Sequence, residues 1–480
     1  MLPVYKEKKN PEPEKPKNEK PKAVNTKGNK PNFYIRGNKV HFISLGCPRN
    51  LVDSEVMLGI LLKAGYEPEE NIKKSDYIVI NTCGFLQASR DESLSTIDMA
   101  LSTRKKSAKV IVTGCMVQRH SEEVKAAFPS VDYMLGSGDV EGILKAVESE
   151  SQGEEITPLK SYLEAGEVPR QLSTPKHFAY LKIAEGCRKR CAYCVIPAIK
   201  GPLKSKSKEQ ILKEFRTLIK GGVEEVILIA QDLGDYGKDQ GFKRSEGLLD
   251  LLKELLKEEG NFWIRLLYLY PDEITDELIE LMKSEPRICP YLDMPIQHIN
   301  NDMLKSMHRA TSKEDIIRII TKLRKEIPEI AIRTSLIVGF PGETEEQFKE
   351  LVAFVKEHPL ENVGVFTFSR EPGSYAYDLP NQIEEEVKEK RQKELTKILI
   401  KASEKQNKRL IGKKIEVFVE GYHPETDMLM VGRHQGQCPE IDGQVIINDG
   451  RKVTKFGKRY LVEIHDAQGF DVIGAVIKAV

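Results

Sequence analysis

The stretch EGCRKRCAYCVIPAIKG, residues 185–201, places Cys187, Cys191 and Cys194 in a single loop. An apolar run near 178–184 predicts a strand that ends where this loop begins. Iron–sulfur clusters are held by cysteine thiolates, usually four of them. Three cysteines leave one iron open to another ligand, as at a catalytic metal that keeps a free position. A structural zinc loop lacking its fourth ligand is the alternative interpretation.

Strands and helices alternate around this loop. The pattern predicts strands near 178–184, 224–230, 263–268, 291–294, 331–338 and 363–368, and helices near 208–220, 246–258, 275–284, 312–326 and 343–357. Ser207 followed by Gln210 predicts a capping box at the start of the first helix. Six strand–helix units over 176–383 predict a partial parallel (β/α)6 barrel, with its functional groups at the carboxyl ends of the strands.

A shorter alternating series over 39–150 predicts a second, doubly wound parallel sheet. Cys47, Cys83 and Cys115 each lie at the first or second position past one of its apolar strands. In an open parallel sheet these positions converge at the carboxyl edge, where ligands bind. Three packing cysteines would have no reason to share this position. We therefore interpret them as a second three-cysteine iron–sulfur site.

The remaining segments complete an α/β chain with three folded parts. Residues 1–38 are rich in lysine and proline and predict a disordered tail. Residues 384–410 predict a charged, solvated connecting helix, and 411–480 predict a small five-stranded β-barrel. Residues 150–175 form a connecting segment between the two sheets.

Composition excludes several classes of protein. The 74 basic and 73 acidic residues nearly cancel, so the chain as a whole shows no preference for nucleic acid or membranes. No apolar run reaches the roughly 18 residues of a membrane span. Eight cysteines in so long a chain favour metal binding in a reducing compartment over a disulfide framework, which predicts a cytoplasmic protein.

The cluster loop, including the aromatic residue before its third cysteine, resembles the signature of the radical S-adenosylmethionine (SAM) superfamily. That resemblance implies that Cys187, Cys191 and Cys194 hold a [4Fe-4S] cluster and that its open iron binds SAM. Other strand ends fit the same site: Gln231 and Asp232 in ILIAQDLGDYG, and the turn GFPGE at 339–343. The implied SAM contacts are Tyr193, Gln231, Asp232, Gly339, Gly342 and Glu343. Gly339 and Gly342 would let the backbone approach adenosine, and Glu343 would begin the next helix.

Two three-cysteine sites followed by a small barrel resemble the methylthiotransferases, over about residues 39–480. The stretch SLGCPRNLVDSE, 44–55, is similar to the RimO branch, which modifies an aspartate of small-subunit ribosomal protein number twelve. The small barrel resembles the TRAM module, which is OB-like. The resemblance implies two [4Fe-4S] clusters, with Cys47, Cys83 and Cys115 holding the second, and SAM as cosubstrate. It also implies a one-electron donor such as flavodoxin or ferredoxin, a sulfur source, the ribosome as partner and a monomeric enzyme.

Two other functions compete with this one. The first is methylthiolation of adenosine in tRNA, and the second is a cluster carrier without enzymatic activity. Residues 411–480 hold nine Lys or Arg and ten Asp or Glu, a poor balance for gripping phosphates, although RKVTKFGKR at 451–459 is basic. Cys289 and Cys438 lack ligand partners and predict packing residues. His298, beside Gln297, is interpreted as a structural histidine.

Overall fold

This computed structural model describes residues 38–480. They form two parallel sheets and one closed barrel. The predicted α/β fold class, with its two parallel sheets and a small terminal barrel, is confirmed. The disordered tail predicted for 1–38 lies, apart from Asn38, outside the described residues. Within 38–480, none of the helices combines the length and the apolar character needed to cross a membrane.

The first unit is a six-stranded parallel sheet in the order β2-β1-β3-β4-β5-β6. Its strands are β1 Lys39–Ser44, β2 Glu67–Pro68, β3 Tyr77–Thr82, β4 Lys109–Gly114, β5 Tyr133–Leu135 and β6 Gly153–Glu155. Its helices are α1 Pro48–Lys63, α2 Gln87–Thr103, α3 Cys115–Ala127 and α4 Ile143–Glu148. The strand β6 lies in the segment expected to be a plain connection. The chain reverses its winding direction between β1 and β3, which is where such sheets bind ligands.

The second unit is a six-stranded parallel sheet in the order β14-β13-β12-β11-β10-β7, an open partial barrel. Its strands are β7 Phe178–Lys182, β10 Glu225–Ile229, β11 Trp263–Leu266, β12 Ile288–Asp293, β13 Ala331–Val338 and β14 Asn362–Thr367, and a small antiparallel pair is formed by β8 Ala184–Glu185 and β9 Lys204–Ser205. Its helices are α5 Ile196–Lys200, α6 Lys208–Lys220, α7 Glu246–Leu255, α8 Asp276–Ser284, α9 Asn301–Ser306, α10 Lys313–Glu326 and α11 Glu345–Glu357. The predicted capping box of Ser207 and Gln210 starts α6.

The connecting helix α12, Glu385–Asn407, differs from its prediction because one of its faces is buried. Leu395 and Leu399 join the apolar layer outside the second sheet. Lys388 and Arg391 are also buried, because their aliphatic stems cover apolar surface while their charged ends find partners. The Lys388 ammonium donates to the Phe368 carbonyl at 3.1 Å. The helix is therefore a packed element and not a solvated connector.

The third unit is a closed five-stranded barrel in the order β15-β16-β17-β19-β18. Its strands are β15 Lys414–His423, β16 Thr426–His434, β17 Val445–Asp449, β18 Lys458–Gln468 and β19 Asp471–Ala479. It packs against the amino-terminal end of the second sheet. There the buried Glu225 carboxylate accepts from Arg265 at 2.6 Å and from Arg433 of the small barrel at 2.8 Å.

Side chains from all three units meet inside the open barrel. This inner cluster contains Val52 of α1, Phe178, Tyr180 and Trp263 of the second sheet, and Phe418 and Cys438 of the small barrel. Cys289 is 0% exposed in the same cluster, so the prediction that Cys289 and Cys438 are packing residues is confirmed. The open barrel is thus filled by its neighbours, which fixes the positions of the first and third units.

Candidate functional site

The three cysteines of the first sheet lie at its carboxyl edge, as the sequence predicts. Cys47 caps the amino end of α1, Cys83 directly follows β3, and Cys115 is the first residue of α3. The register pairs Ser44 with Asn81 and Thr82 with Gly114, so the ends of all three strands lie side by side. The three cysteines therefore lie at the edge where the sheet reverses its winding.

Close packing of the backbone shapes this edge. Gly46 has a φ of +90°, and a Cβ added there would lie 2.9 Å from the Cβ of Cys83 and 3.1 Å from its Sγ. Asn50 Nδ2 donates to the carbonyls of Leu45 at 3.0 Å and Thr82 at 2.9 Å. Its Oδ1 lies 3.6 Å from Cys115 Sγ. A glycine and an asparagine thus leave room for, and hold in place, the loops that carry the thiols.

The second group of thiols lies in the loop after β8. Its backbone is tied down by hydrogen bonds from Cys187 N to the Gly201 carbonyl at 3.2 Å and from Cys194 N to the Cys191 carbonyl at 3.0 Å. The Cys191 Sγ lies 3.0 Å from the Tyr270 hydroxyl. This loop is at the carboxyl end of the partial barrel, where the sequence predicts the functional groups.

The donor set at each cysteine site consists of three thiols. A structural zinc ion takes four protein ligands. In an iron–sulfur cluster each thiolate binds a different iron, so three thiolates can hold a cluster and leave one iron open. The donor chemistry therefore fits iron–sulfur clusters better than the zinc alternative. A separate group of metal-binding side chains in the described residues, Asp232, Asp235 and Glu273, contains no cysteine.

Burial keeps most of these thiols protonated in the absence of metal. It raises the pKa of Cys115 and of Cys187 to about 12 and that of Cys194 to about 11. Burial acts on Cys47 too, but the Arg49 guanidinium and nearby backbone amides outweigh it and lower the pKa of Cys47. Since metals bind thiolates, loading these sites must release protons.

The predicted SAM residue Asp232 is buried and bound by its own chain. Its Oδ1 accepts from Gly234 N at 3.0 Å, and its Oδ2 lies 3.3 Å from the Lys189 ammonium. Burial raises the pKa of Asp232 to about 7 although Lys189 opposes this. Lys189 also lies 3.1 Å from Glu273, so this acidic group holds the cluster loop by ion pairs.

Of the predicted SAM residues, Gln231 has an acceptor without a partner in the described residues, while Tyr193 contacts Cys191. Gln231 Oε1 is buried at the end of β10 and accepts no hydrogen bond within residues 38–480. Tyr193 is half-buried beside Phe340 and Met307, next to the cluster loop. Their roles as SAM contacts stay predictions.

The turn 339–343 is built differently from its prediction. Gly339 has a φ of +75°, and a Cβ there would collide with the stem of Lys388, so its missing side chain makes room for α12. Nothing lies within 4 Å of a Cβ added at Gly342, so of these two glycines Gly342 is the one beside open space. Glu343 is buried before α11, which begins at Glu345. A contact of Gly339 with adenosine is therefore less well supported than one of Gly342.

The Glu343 carboxylate is fully engaged by this chain. It accepts hydrogen bonds from Gly339 N and from Arg391 at 2.8 Å, and it lies 3.2 Å from His298 Nε2. His298 Nδ1 in turn accepts from Asn300 N at 3.0 Å. The interpretation of His298 as a structural histidine is confirmed, and Glu343 stabilises the turn.

Four residues at the site were missed by the sequence analysis: Arg49, Tyr268, Tyr270 and Arg309. The Arg309 guanidinium stacks 3.9 Å from the centre of the Tyr270 ring and lies 3.6 Å from Cys191 Sγ. The Arg49 guanidinium lies 5.0 Å from the centre of the Tyr268 ring. Single arginines and tyrosines have no spacing pattern that could have marked them.

The stretch 44–55 docks the first unit onto the second. Asp53 of α1 pairs with Lys182 of β7 and, at 3.2 Å, with Lys200 of α5. Glu55 accepts from Arg170 at 2.6 Å. On the far side of the barrel, Glu371 follows β14 and pairs with Arg90 and Arg119 of the first unit. The first unit therefore covers the carboxyl end of the barrel and brings the two cysteine trios together.

Matches to known families follow the three units. Residues 39–136 match the uncharacterized protein family UPF0004, 181–355 match the radical SAM superfamily, and 411–477 match the TRAM domain. A likeness to the solved structure of TsrM, a radical S-adenosylmethionine methyltransferase from Kitasatospora setae, covers 71% of this chain and 77% of that chain. With a TM-score of 0.52 and 16% identity, it supports the fold alone.

Proteins similar along nearly the whole chain are named ribosomal protein uS12 methylthiotransferase RimO. The relative from Protochlamydia amoebophila is 71% identical, covering 93% of this chain and 94% of the relative. The relative from Chlamydia caviae is 58% identical, covering 92% and 96%. The one from Bdellovibrio bacteriovorus is 44% identical, covering 92% and 97%.

Proposed function

The chain belongs to the RimO family of radical SAM methylthiotransferases, and from this we propose that it adds a methylthio group to the β-carbon of one aspartate of ribosomal protein uS12. Relatives that are 44 to 71% identical over more than nine-tenths of this chain are named for uS12. An unactivated C–H bond at the β-carbon is not acidic enough for general-base chemistry, so a radical mechanism suits this substrate.

The observation that carries the proposal is the placement of both cysteine trios around one cleft. Cys115 of one trio packs against Val195, which directly follows Cys194 of the other, and against Ile199 of α5. Transfer of a methylthio group to a carbon radical requires the sulfur source and the radical source to face the same carbon. A carrier of clusters would not need this arrangement.

The two trios have different roles in this proposal. Cys187, Cys191 and Cys194 would hold the [4Fe-4S] cluster that binds SAM, and Cys47, Cys83 and Cys115 would hold a second cluster. When bound, these groups would supply a 5′-deoxyadenosyl radical at one side and a methylated sulfur at the other. The ion pairs of Asp53 and Glu371 hold the first unit over the carboxyl end of the barrel, so both trios are kept at one end of the molecule.

The tRNA alternative is not favoured. The relatives are named for uS12. A tRNA enzyme gains most of its sequence-independent affinity from neutralised phosphates, and the small barrel has nine basic and ten acidic residues. A basic ribosomal protein is a better partner for such a surface. A one-electron donor, such as flavodoxin or ferredoxin, and a sulfur source complete the proposed set of partners, in the reducing cytoplasm.

Mass spectrometry of ribosomal proteins and of tRNA tests the function. Cells that lack the gene should contain uS12 without the methylthio group on aspartate, and their tRNA nucleosides should be unchanged. The unmodified gene should restore the modification, whereas the Cys187→Ala variant should not. Loss of a methylthio-adenosine with unchanged uS12 would instead favour the tRNA substrate.

A further inference from the structure

Cationic side chains around the two cysteine trios are mostly neutralised by carboxylates of the same chain. The pairs are Lys182 and Lys200 with Asp53 and Glu185, Lys189 with Asp232, Arg333 with Asp293, and Arg90 with Glu371. Such pairing is the rule for buried charges, because an unpaired ion loses its hydration without compensation. A cation without a carboxylate at this site therefore indicates that an anion from elsewhere completes it.

Four arginines at the site form no ion pair with a carboxylate within residues 38–480, and two of them, Arg188 and Arg190, are exposed on the cluster loop. The other two, Arg49 and Arg309, are at least partly buried. Each stacks on a tyrosine at the carboxyl end of β11, Arg49 on Tyr268 and Arg309 on Tyr270. They belong to different trios, because Arg49 follows Cys47 by two residues while Arg309 lies beside Cys191. Each trio thus has beside it one partly or fully buried guanidinium that no carboxylate of the described residues neutralises.

The environment of Arg49 leaves room for an external anion. One of its terminal nitrogens donates to the Ala230 carbonyl, at the end of β10, at 2.8 Å. That contact fixes the guanidinium at the end of the barrel, and the side chain remains partly exposed to the cleft. Arg309 differs, because it is 8% exposed and its second terminal nitrogen donates to the Pro295 carbonyl. Arg49 also contacts the Cys47 side chain, and of the two arginines it is the one that is accessible from outside.

We infer that Arg49 binds the side-chain carboxylate of the target aspartate. This deepens the proposed function and rests on it. A guanidinium binds a carboxylate through two parallel hydrogen bonds, which fixes orientation as well as position. The β-carbon that reacts is bonded directly to the carboxylate carbon. Holding the carboxylate at Arg49, two residues after Cys47 and at the carboxyl end of the partial barrel, places that carbon where both halves of the reaction can reach it.

A competing role for Arg49 is to offset the negative charge of thiolates at the cluster. In that case its loss would weaken cluster loading and would affect every substrate alike. Recognition of the carboxylate makes a different prediction, since only a substrate that carries the carboxylate would lose affinity. The two roles are therefore separable by comparing an aspartate with an asparagine at the target position.

The test measures binding of purified uS12 to the reconstituted full-length protein, by calorimetry, with uS12 in two forms. One form carries the target aspartate, and the other carries asparagine at that position. We expect unmodified enzyme to prefer the aspartate form by about tenfold or more, as for a charge-assisted hydrogen-bonded pair. R49Q should bind both forms equally, and R49K should keep part of the preference. R318Q, an exposed arginine on α10, should keep all of it.

Iron and sulfide analysis of the same samples separates the outcomes. Normal iron content in R49Q with a lost preference supports the proposal. A preference that survives in R49Q overturns it, and so does an unmodified enzyme that fails to distinguish the two forms. Equal weakening for both forms together with lost iron would show that Arg49 serves the cluster. Modification of uS12 in cells would still stand in any of these cases, so failure here is distinct from failure of the proposed function.

Discussion

Cys47 and Cys115 belong to one trio, yet their surroundings differ sharply. Cys47 caps a helix beside Arg49, whereas Cys115 is 8% exposed and surrounded mainly by apolar residues. Arginine lowers the pKa of Cys47 against the effect of burial, and burial raises the pKa of Cys115 to about 12. The thiolate is the reactive form of cysteine. The two thiols should therefore behave differently when no metal is bound.

We predict that a short pulse of iodoacetamide at pH 7.5 labels Cys47 of the iron-free protein at least about tenfold faster than Cys115. Peptide mass spectrometry measures the two rates, and circular dichroism checks that the fold persists without iron. Cys438, which is 1% exposed, serves as the unreactive control. Equal rates for Cys47 and Cys115 would contradict this account of their environments.

At the residue scale, the sequence predicts the positions of those site residues that stand next to an apolar strand or share one loop. The six cysteines could be located because each follows an apolar strand or lies in one loop, and parallel strand ends converge. The environment of Gly339 could not be predicted, since the Lys388 stem that fills its side-chain space comes from α12, packed there by tertiary structure. Arg49 and Arg309 were missed for the same reason, because their tyrosine partners meet them only in the fold.

At the scale of elements, α1 is the main connection between the first unit and the partial barrel. Its Asp53 lies with Glu185 between the ammonium groups of Lys182 and Lys200, and all four side chains are at most 4% exposed. Breaking a buried ion pair by removing one partner leaves an uncompensated charge, which costs about 3–5 kcal/mol.

Asp53→Asn should therefore lower the free energy of unfolding by about 3–5 kcal/mol, as measured by urea denaturation. The matched control is Asp98→Asn on the exposed face of α2, which should change stability by less than about 0.5 kcal/mol. Limited proteolysis should cleave the first unit of the Asp53 variant faster. An Asp53 variant as stable as the control would show that α1 is held by its apolar contacts alone.

Strand bounds were predicted well where apolar runs are long: the expected strand 331–338 is Ala331–Val338. Short elements such as β6, with three residues, and α5, with five, were missed because three to five residues are too few to show a hydrophobic periodicity. The burial of α12 was missed because its buried face includes Lys388 and Arg391, which sequence patterns assign to solvent.

At the scale of the whole molecule, docking between units depends on side chains that the sequence could not pair. Glu225 at the start of β10 binds Arg265 and Arg433, and Arg433 also lies 2.8 Å from Glu420. Burial opposes ionisation of Glu225, but the two arginines outweigh it and lower its pKa to about 2. This network fixes the small barrel at the amino-terminal end of the second sheet.

A carboxylate with a lowered pKa stabilises the fold above its unfolded pKa, and this contribution disappears as the pH falls through the folded value. The Glu225 contribution should therefore be complete above about pH 4.5 and decline as the pH approaches 2. Glu225→Gln should cost about 3–5 kcal/mol at pH 7 and flatten this part of the acid profile. Glu259→Gln, at an exposed position, is the control. An unchanged acid profile in the Glu225 variant would contradict the assignment.

The central claim is that two separate iron–sulfur sites perform different parts of one reaction. It is tested most directly by measuring iron, sulfide and 5′-deoxyadenosine in two triple alanine variants after anaerobic reconstitution. Loss of Cys187, Cys191 and Cys194 should leave about half of the iron and sulfide and abolish SAM cleavage. Loss of Cys47, Cys83 and Cys115 should also leave about half, while 5′-deoxyadenosine still forms without methylthio product. Full iron content in either variant, or loss of SAM cleavage in a folded variant of the second kind, would contradict the account.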